Sequence, residues 1–343
     1  MRATGSWHGD VDTGKESVWG NEIYNPERLK FFDQHLKGIF PREDDPPVRL
    51  YVMGTGDGTK TEEGHLNHGG YWRDEAEWPL ARTQFQTLYL HDDGSLDPFA
   101  SEEDDSSLTY TYDPEHPVPT VGGQLVGMFK ITSPEDGGPA LDDVPAFLDQ
   151  WTLARNNLGE VIAAGGFHQK EGPEWLGARE PYPLLKDRPD VLAFETDPLE
   201  DDTEVTGEVS VKLWVSSTAV DTDITVKLID VYPESDDYPD GYHLNLTDTI
   251  RRMRYRNSWT EPEMMTPGEP VEVTITMWPV SNVFKKGHRI RVDISSSNFP
   301  RFDVNPNTGE PVGRHTKMIR ADNTIYTSAD LASRVILPII PAE

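Results

Sequence analysis

Apolar and polar residues alternate with a period near two across much of this chain. The runs "VRLYVMG" (48–54), "TLYLHDDGSL" (87–96) and "VSVKLWVSS" (209–217) are rich in β-branched and aromatic residues. So are "ITVKLIDVY" (224–232), "VEVTITMWPV" (271–280) and "HRIRVDISSS" (288–297), with Gly, Pro, Asp and Asn between the runs. That texture predicts strands joined by turns. Two of the runs, 209–217 and 224–232, stand so close that they predict an antiparallel pair across "TAVDTD". From about residue 47 onward the pattern predicts a large antiparallel β-sandwich.

One segment breaks the period. In "NPERLKFFDQHLKG" (25–38), Leu29, Phe32 and Leu36 fall on one helical face. Asn25 suits a cap, Pro26 the first helical position, and Gly38 a left-handed stop. "FPREDDPP" after it reads as a linker, because Pro46 and Pro47 cannot extend a helix. A second helix is expected in "DDVPAFLDQWTLARNN" (142–157). No repeat of fixed period occurs.

Composition narrows the classes. Hydrophobic residues make up 36% of the 343 and aromatics 10%, enough for a packed core. No run approaches the ~18 apolar residues of a membrane span, and no leader pattern is visible, so a soluble, cytoplasmic protein is expected. Sixty acidic against 31 basic residues give a formal charge of −29, a field that repels nucleic acid and anionic membrane. Only 12 of the cations are Lys, and the acid is spread along the chain, as on a surface kept hydrated in high salt. With no Cys, disulfides, thiol nucleophiles and Cys-ligated metal are excluded.

Candidate chemistry concentrates near the start, in "GSWHGDVDTG" (5–14). His8 is a candidate general base, and Asp10 and Asp12 read as acids that stabilise its loop. An EF-hand is excluded, since Gly14 stands at the fifth position and Lys15 where the sixth-position Gly belongs. His65 and His68 have ligand-like spacing but no carboxylate beside them, so neither a metal nor a cofactor is expected. Asp221 and Asp223 are expected at a turn, and Asn298, Arg301 and Asp303 across a loop. Trp72 and Trp78 read as packing a domain interface rather than binding a ligand.

Several segments resemble one family. "FETDPLEDDTEVTGEVSVKLWVSSTAVDTDITVKLIDVYPE" and "FKKGHRIRVDISSSNFPRFDVNPNTGE" look like the C-terminal jelly roll of the cocaine-esterase and X-Pro dipeptidyl-peptidase serine hydrolases. "WPLARTQFQTLYLHDDGSL", "YTYDPEHPVPTVGG", "RPDVLAFETDPL" and "RMRYRNS" follow in the family's order. In that family an α/β-hydrolase domain comes first and carries a Ser-Asp-His triad. Its His lies in a "GPWxHG"-like loop before a helix ending near "FFDxxLKG". Here "TGSWHGD" precedes "RLKFFDQHLKG", which maps that His onto His8, although Ser6 replaces Pro and Trp7 abuts His8.

The resemblance implies a remnant of the α/β-hydrolase domain (strand end, His loop, helix) over residues 1–45 and a jelly-roll sandwich over 46–343. The triad runs Ser, Asp, His along the chain, so its first two members belong upstream of His8. No Ser here has Gly at both −2 and +2, so the nucleophile's elbow is missing and the chain alone is expected to be inactive. The expected partners are an N-terminal α/β-hydrolase half, on the same or an adjacent polypeptide, and a small ester, amide or X-Pro peptide substrate. The alternative is a stand-alone β-sandwich binding module.

Overall fold

A computed structural model describes residues 6–18, 20–39, 46–123, 127–129, 159–311 and 313–341. The helix expected at 142–157 lies outside the described residues. The chain opens with a hairpin of β1 (Trp7–His8) and β2 (Val11–Asp12), followed by helix α1 (Asn21–Lys37). Next come β3 (Val48–Met53), β4 (Leu66–Asn67), β5 (Gly70–Glu75), β6 (Gln84–Leu90), β7 (Leu96–Asp97) and β8 (Ser107–Tyr112). Two short strands, β9 (Gly127–Phe129) and β10 (Gly159–Ile162), pair with each other in a sheet of two among the described residues. The rest is strand-rich: β11 (Leu192–Glu195), β12 (Thr203–Gly207), β13 (Ser210–Ser217), β14 (Asp223–Tyr232) and β15 (Tyr242–Arg252). It closes with β16 (Val271–Thr276), β17 (Val280–Phe284), β18 (Arg289–Ser295), β19 (Ala321–Tyr326) and β20 (Arg334–Ile340).

These strands build the expected sandwich. A large sheet runs β5-β3-β17-β12-β20-β13-β19-β8, with β16 paired to β13 and β6 to β20. A smaller sheet runs β11-β18-β14-β15. Alternate residues of each sheet meet in one core. Val211, Leu213 and Val215 of β13 join Val226 and Leu228 of β14 and Val292 and Ile294 of β18, all fully buried. Each such side chain contributes roughly 1.5–3 kcal/mol on burial.

One expected pairing is overturned. β13 and β14 lie in different sheets: β13 pairs with β16, β19 and β20, and β14 with β15 and β18. The short connection crosses the sandwich instead of forming a hairpin. Both strands are rich enough in β-branched residues to sit centrally: β13 is flanked by β16, β19 and β20 from later in the chain, and β14 by the next strand, β15, and by β18. Asp221 and Asp223 anchor the crossing. Asp221 accepts the backbone N–H of Arg254 at 2.9 Å and pairs with its guanidinium at 2.7 Å. Asp223 holds Arg252 at 2.9 and 3.0 Å, and the Asn305 amide bridges both carboxylates.

The small sheet is covered on its outer face too, so every residue of β14 is buried. The cover is the chain around 116–123 and 163–191, whose own cluster holds Val118, Val121, Trp175 and Leu185. Beneath it, Lys227 stands in register between Asp248 and Asp293.

Helix α1 begins four residues before its expected start. The Gly20 carbonyl takes the N–H groups of Ile23 and Tyr24, adding a turn ahead of Asn25 and placing Pro26 inside the helix. Gly38 ends it as expected, at φ 69°, with the Ile39 N–H bonded to the Asp33 carbonyl.

Candidate functional site

His8 sits at the tip of the first hairpin, where β1 and β2 pair Trp7 with Asp12 and His8 with Val11. Two glycines make this placement possible. Gly9 has φ 65°, and a Cβ there would meet the Gly166 carbonyl oxygen at 2.5 Å. Across from it, a Cβ on Gly165 would lie 2.3 Å from the His8 carbonyl carbon. The chains therefore close up: Gly166 N–H donates to His8 O at 3.1 Å, and Asp10 N–H to Gly166 O at 2.9 Å. Gly165 in turn exchanges two 2.9 Å bonds with Gly123.

The same segment is tied to the large sheet. β2 runs parallel to β4, and His68 N–H reaches the Asp12 carbonyl at 2.9 Å. Tyr51 donates its hydroxyl to Thr13 O at 2.5 Å, and Trp72 its indole N–H to Glu16 O at 2.7 Å. Trp72, edge-on to Tyr51 of β3, thus ties the entry segment to β5, whereas Trp78 is 40% exposed. Trp7 stacks on His65, with ring centres 4.6 Å apart. Asp12 accepts the Gly14 N–H at 2.8 Å, the turn chemistry expected of it. Burial raises the Asp10 carboxyl above its ordinary range, against the pull of His65.

Around His8 opens a cavity of about 390 Å³. The cavity is walled by the hairpin through His8 and Val11, by the glycine bridge through Gly123 and Gly165, by consecutive positions 244–248 of β15, and by Met53 and His68. The His8 side chain is exposed at this cavity, and among the described residues no hydroxyl or carboxylate is hydrogen-bonded to its ring. Among the described residues the imidazole therefore has neither a hydroxyl that it could activate nor a carboxylate that orients it.

His65 and His68 go to different partners, and among the described residues no group of three His, Asp or Glu side chains could hold a metal ion. His68 is buried with its Nδ1 against the Tyr232 hydroxyl. Burial lowers its pKa to about 4, outweighing the opposing pull of Asp230, so the ring is neutral near pH 7.

The floor of the site is charged but balanced. The Asp248 carboxylate accepts the Asn298 amide at 2.6 Å and the Arg301 guanidinium. The side chains of these two residues therefore reach β15, while the Asn298 carbonyl accepts the Phe302 N–H within their own loop at 3.0 Å. Lys227 gives its ammonium to Gln169 at 3.1 Å, and burial lowers its pKa against the pull of Asp248 and Asp293. No spacing rule joins residues 227, 248 and 301, and the sequence carries no signal of this network.

The exposed surface of α1 completes the picture. Leu29, Phe32 and Leu36 are 58%, 45% and 77% exposed, and Phe31 beside them 57%. An amphipathic helix ordinarily buries that face. No helix among the described residues is long and apolar enough to cross a membrane.

A family model for the X-Pro dipeptidyl-peptidase C-terminal non-catalytic domain matches residues 42–336, leaving His8 and α1 outside the match. The chain is 37% identical over 325 residues to the cocaine esterase of Rhodococcus sp. (strain MB1 Bresler), spanning 90% of this chain and 45% of that protein. A solved α-amino acid ester hydrolase superposes with a TM-score of 0.64 at 26% identity, over 97% of this chain and 47% of its own. An aminopeptidase from a marine sediment Thaumarchaeota archaeon gives 0.68 at 24% identity, over 98% and 47%, which shows the fold. The chain spans about half the length of these relatives.

Proposed function

This chain belongs to the X-Pro dipeptidyl-peptidase C-terminal domain family, and from that premise we propose that it acts as the carboxy-terminal part of a serine hydrolase. Its working partner is an α/β-hydrolase half, on the same or an adjacent polypeptide, that brings the Ser nucleophile and the Asp. His8 is the third member of the triad. It takes the proton of the serine hydroxyl as the acyl bond is attacked and returns it to the leaving group. Substrates are small esters, amides or X-Pro peptides.

The observation that carries this reading is the bare apolar face of α1, which follows His8 directly in the chain. Burying Leu29, Phe32 and Leu36 is worth roughly 1.5–3 kcal/mol each, enough to drive docking of a second domain. That domain would then deliver its serine next to the cavity at His8.

The test supplies an α/β-hydrolase half in trans, such as the amino-terminal half of the Rhodococcus relative or the segment encoded beside this chain. The complex is expected to hydrolyse an activated ester with saturable kinetics, while the chain alone does not. His8→Ala is expected to abolish turnover and leave assembly intact. An active His8→Ala complex overturns the triad assignment, and saturable turnover by the chain alone overturns the need for a partner.

A further inference from the structure

The cover over the small sheet also reaches His8. Its Gly166 is bonded on both sides to the hairpin, through the His8 carbonyl and the Asp10 N–H, and the residues that follow turn onto β15. His168 pairs with Leu244, and the Gln169 N–H donates to the His243 carbonyl at 3.0 Å. One side chain completes this attachment. The Nδ1 of His168 accepts the His243 backbone N–H at 3.0 Å.

A backbone amide only donates, so that contact requires Nδ1 of His168 to carry no proton and the ring to be neutral. Protonation would set two N–H groups against each other. Arg291, fully buried on β18, donates to Nδ1 of His243 at 3.0 Å, which keeps that ring neutral by the same rule. That bond joins two strands of the small sheet and does not involve the cover. Burial lowers the His168 pKa to about 4, helped by Lys170 of the cover and Arg291, while Asp240 just ahead of β15 pulls the other way. Lys186 adds to the positive field at His243. Tyr242 lies beside the His168 ring, centres 5.0 Å apart, and its phenol, raised by burial, stays uncharged. A released His168 takes up a proton before a held one. The attachment is therefore complete above pH 6.5 and weakens as pH falls toward 4. Asp10 on the hairpin acts in reverse, because its carboxyl, raised by burial, binds a proton more tightly in the closed form.

We propose that His168 is a positioning residue for His8: an acid-sensitive clasp that holds the cover, and through it the His8 hairpin, only while its ring is neutral. Its meaning for catalysis rests on reading His8 as the triad base, but its test needs no turnover. Hydrogen exchange of the Gly166, Gln169 and Asp10 N–H groups is followed by NMR on the intact chain, each against the free-amide rate at the same pH. From pH 7 to pH 5 their protection is expected to fall roughly tenfold or more, while the amides of β14 stay better protected. His168→Asn keeps an acceptor near the Nδ1 position without a ring that titrates, and is expected to hold that protection level. His168→Ala is expected to lower it at both pH values. In the unaltered chain the His168 ring, followed by its own NMR signals, is expected to titrate below about pH 5. A ring midpoint near 6.5, level protection in the unaltered chain, or protection that still falls or is lost in His168→Asn overturns the clasp. Each of these leaves the His8 assignment standing, because turnover in the reconstituted complex decides that separately.

Discussion

β14 and α1 are both rich in apolar residues, and they meet opposite fates. All ten residues of β14 are buried, and its Lys and Asp side chains find partners. Helix α1 keeps Leu36 at 77% exposure, and its Lys30–Glu27 and Lys37–Asp33 ion pairs lie within the helix. The difference lies in what the rest of the chain provides. β14 lies between the other sheet and a covering layer, whereas nothing among the described residues covers α1. The sandwich buries its apolar strands within itself; the entry segment leaves an apolar face exposed.

The hardest test of that contrast removes one carboxylate from the sandwich. Asp221→Ala leaves the Arg254 guanidinium buried and unpaired, and is expected to cost about 3–5 kcal/mol in urea unfolding. A cost below about 1 kcal/mol would mean the crossing is not held by its ion pairs.

Next, two leucines are compared directly. Leu228→Ala, in the core, is expected to cost about 2–5 kcal/mol, whereas Leu36→Ala should fall within about 0.5 kcal/mol. If Leu36→Ala costs as much as Leu228→Ala, the helix face is already buried in the isolated chain.

Acid should weaken the sandwich through His68. Its folded pKa of about 4 lies below the unfolded value near 6.5, so the unfolded chain binds the extra proton first. That contribution is complete above pH 6.5 and is lost as pH falls toward 4, amounting to roughly 2–3 kcal/mol. His243, lowered by burial and by Arg291, adds in the same direction. Urea midpoints from pH 7.5 to 4.5 check this, and His68→Gln should flatten the slope.

The smallest expected effect is general. With a formal charge of −29, the melting temperature should rise from low to molar salt as repulsion among carboxylates is screened. A flat dependence would separate the acidic surface from any salt requirement.

Much of the fold was legible because periodicity reports which faces are buried. The strands at 209–217, 224–232 and 288–297 and the helix ending at Gly38 all stand where their patterns put them. Pairing was not legible. β13 and β14 look like a hairpin in the sequence, yet neighbours along a chain are only one of the choices open to a central strand. His8 could be singled out from its local context, but its cavity could not. The Gly165–Gly166 backbone beside it and the β15 wall come from far along the chain. The extra residue in β15, Leu246 between Asn245 and Thr247, gave no signal at all, since "LNLTDT" reads as ordinary strand and only the pairing with β14 exposes it.

The sequence by itself determined the class of fold, the positions of its main strands, the Gly38 stop of α1 and an acidic composition, because these depend on local propensity, apolar spacing and residue content. Tertiary structure alone decided which strands pair, where Asp221, Asp223 and Asp248 find their cations, and what surrounds His8. Those outcomes depend on contacts between residues tens to hundreds of positions apart, which no local pattern encodes.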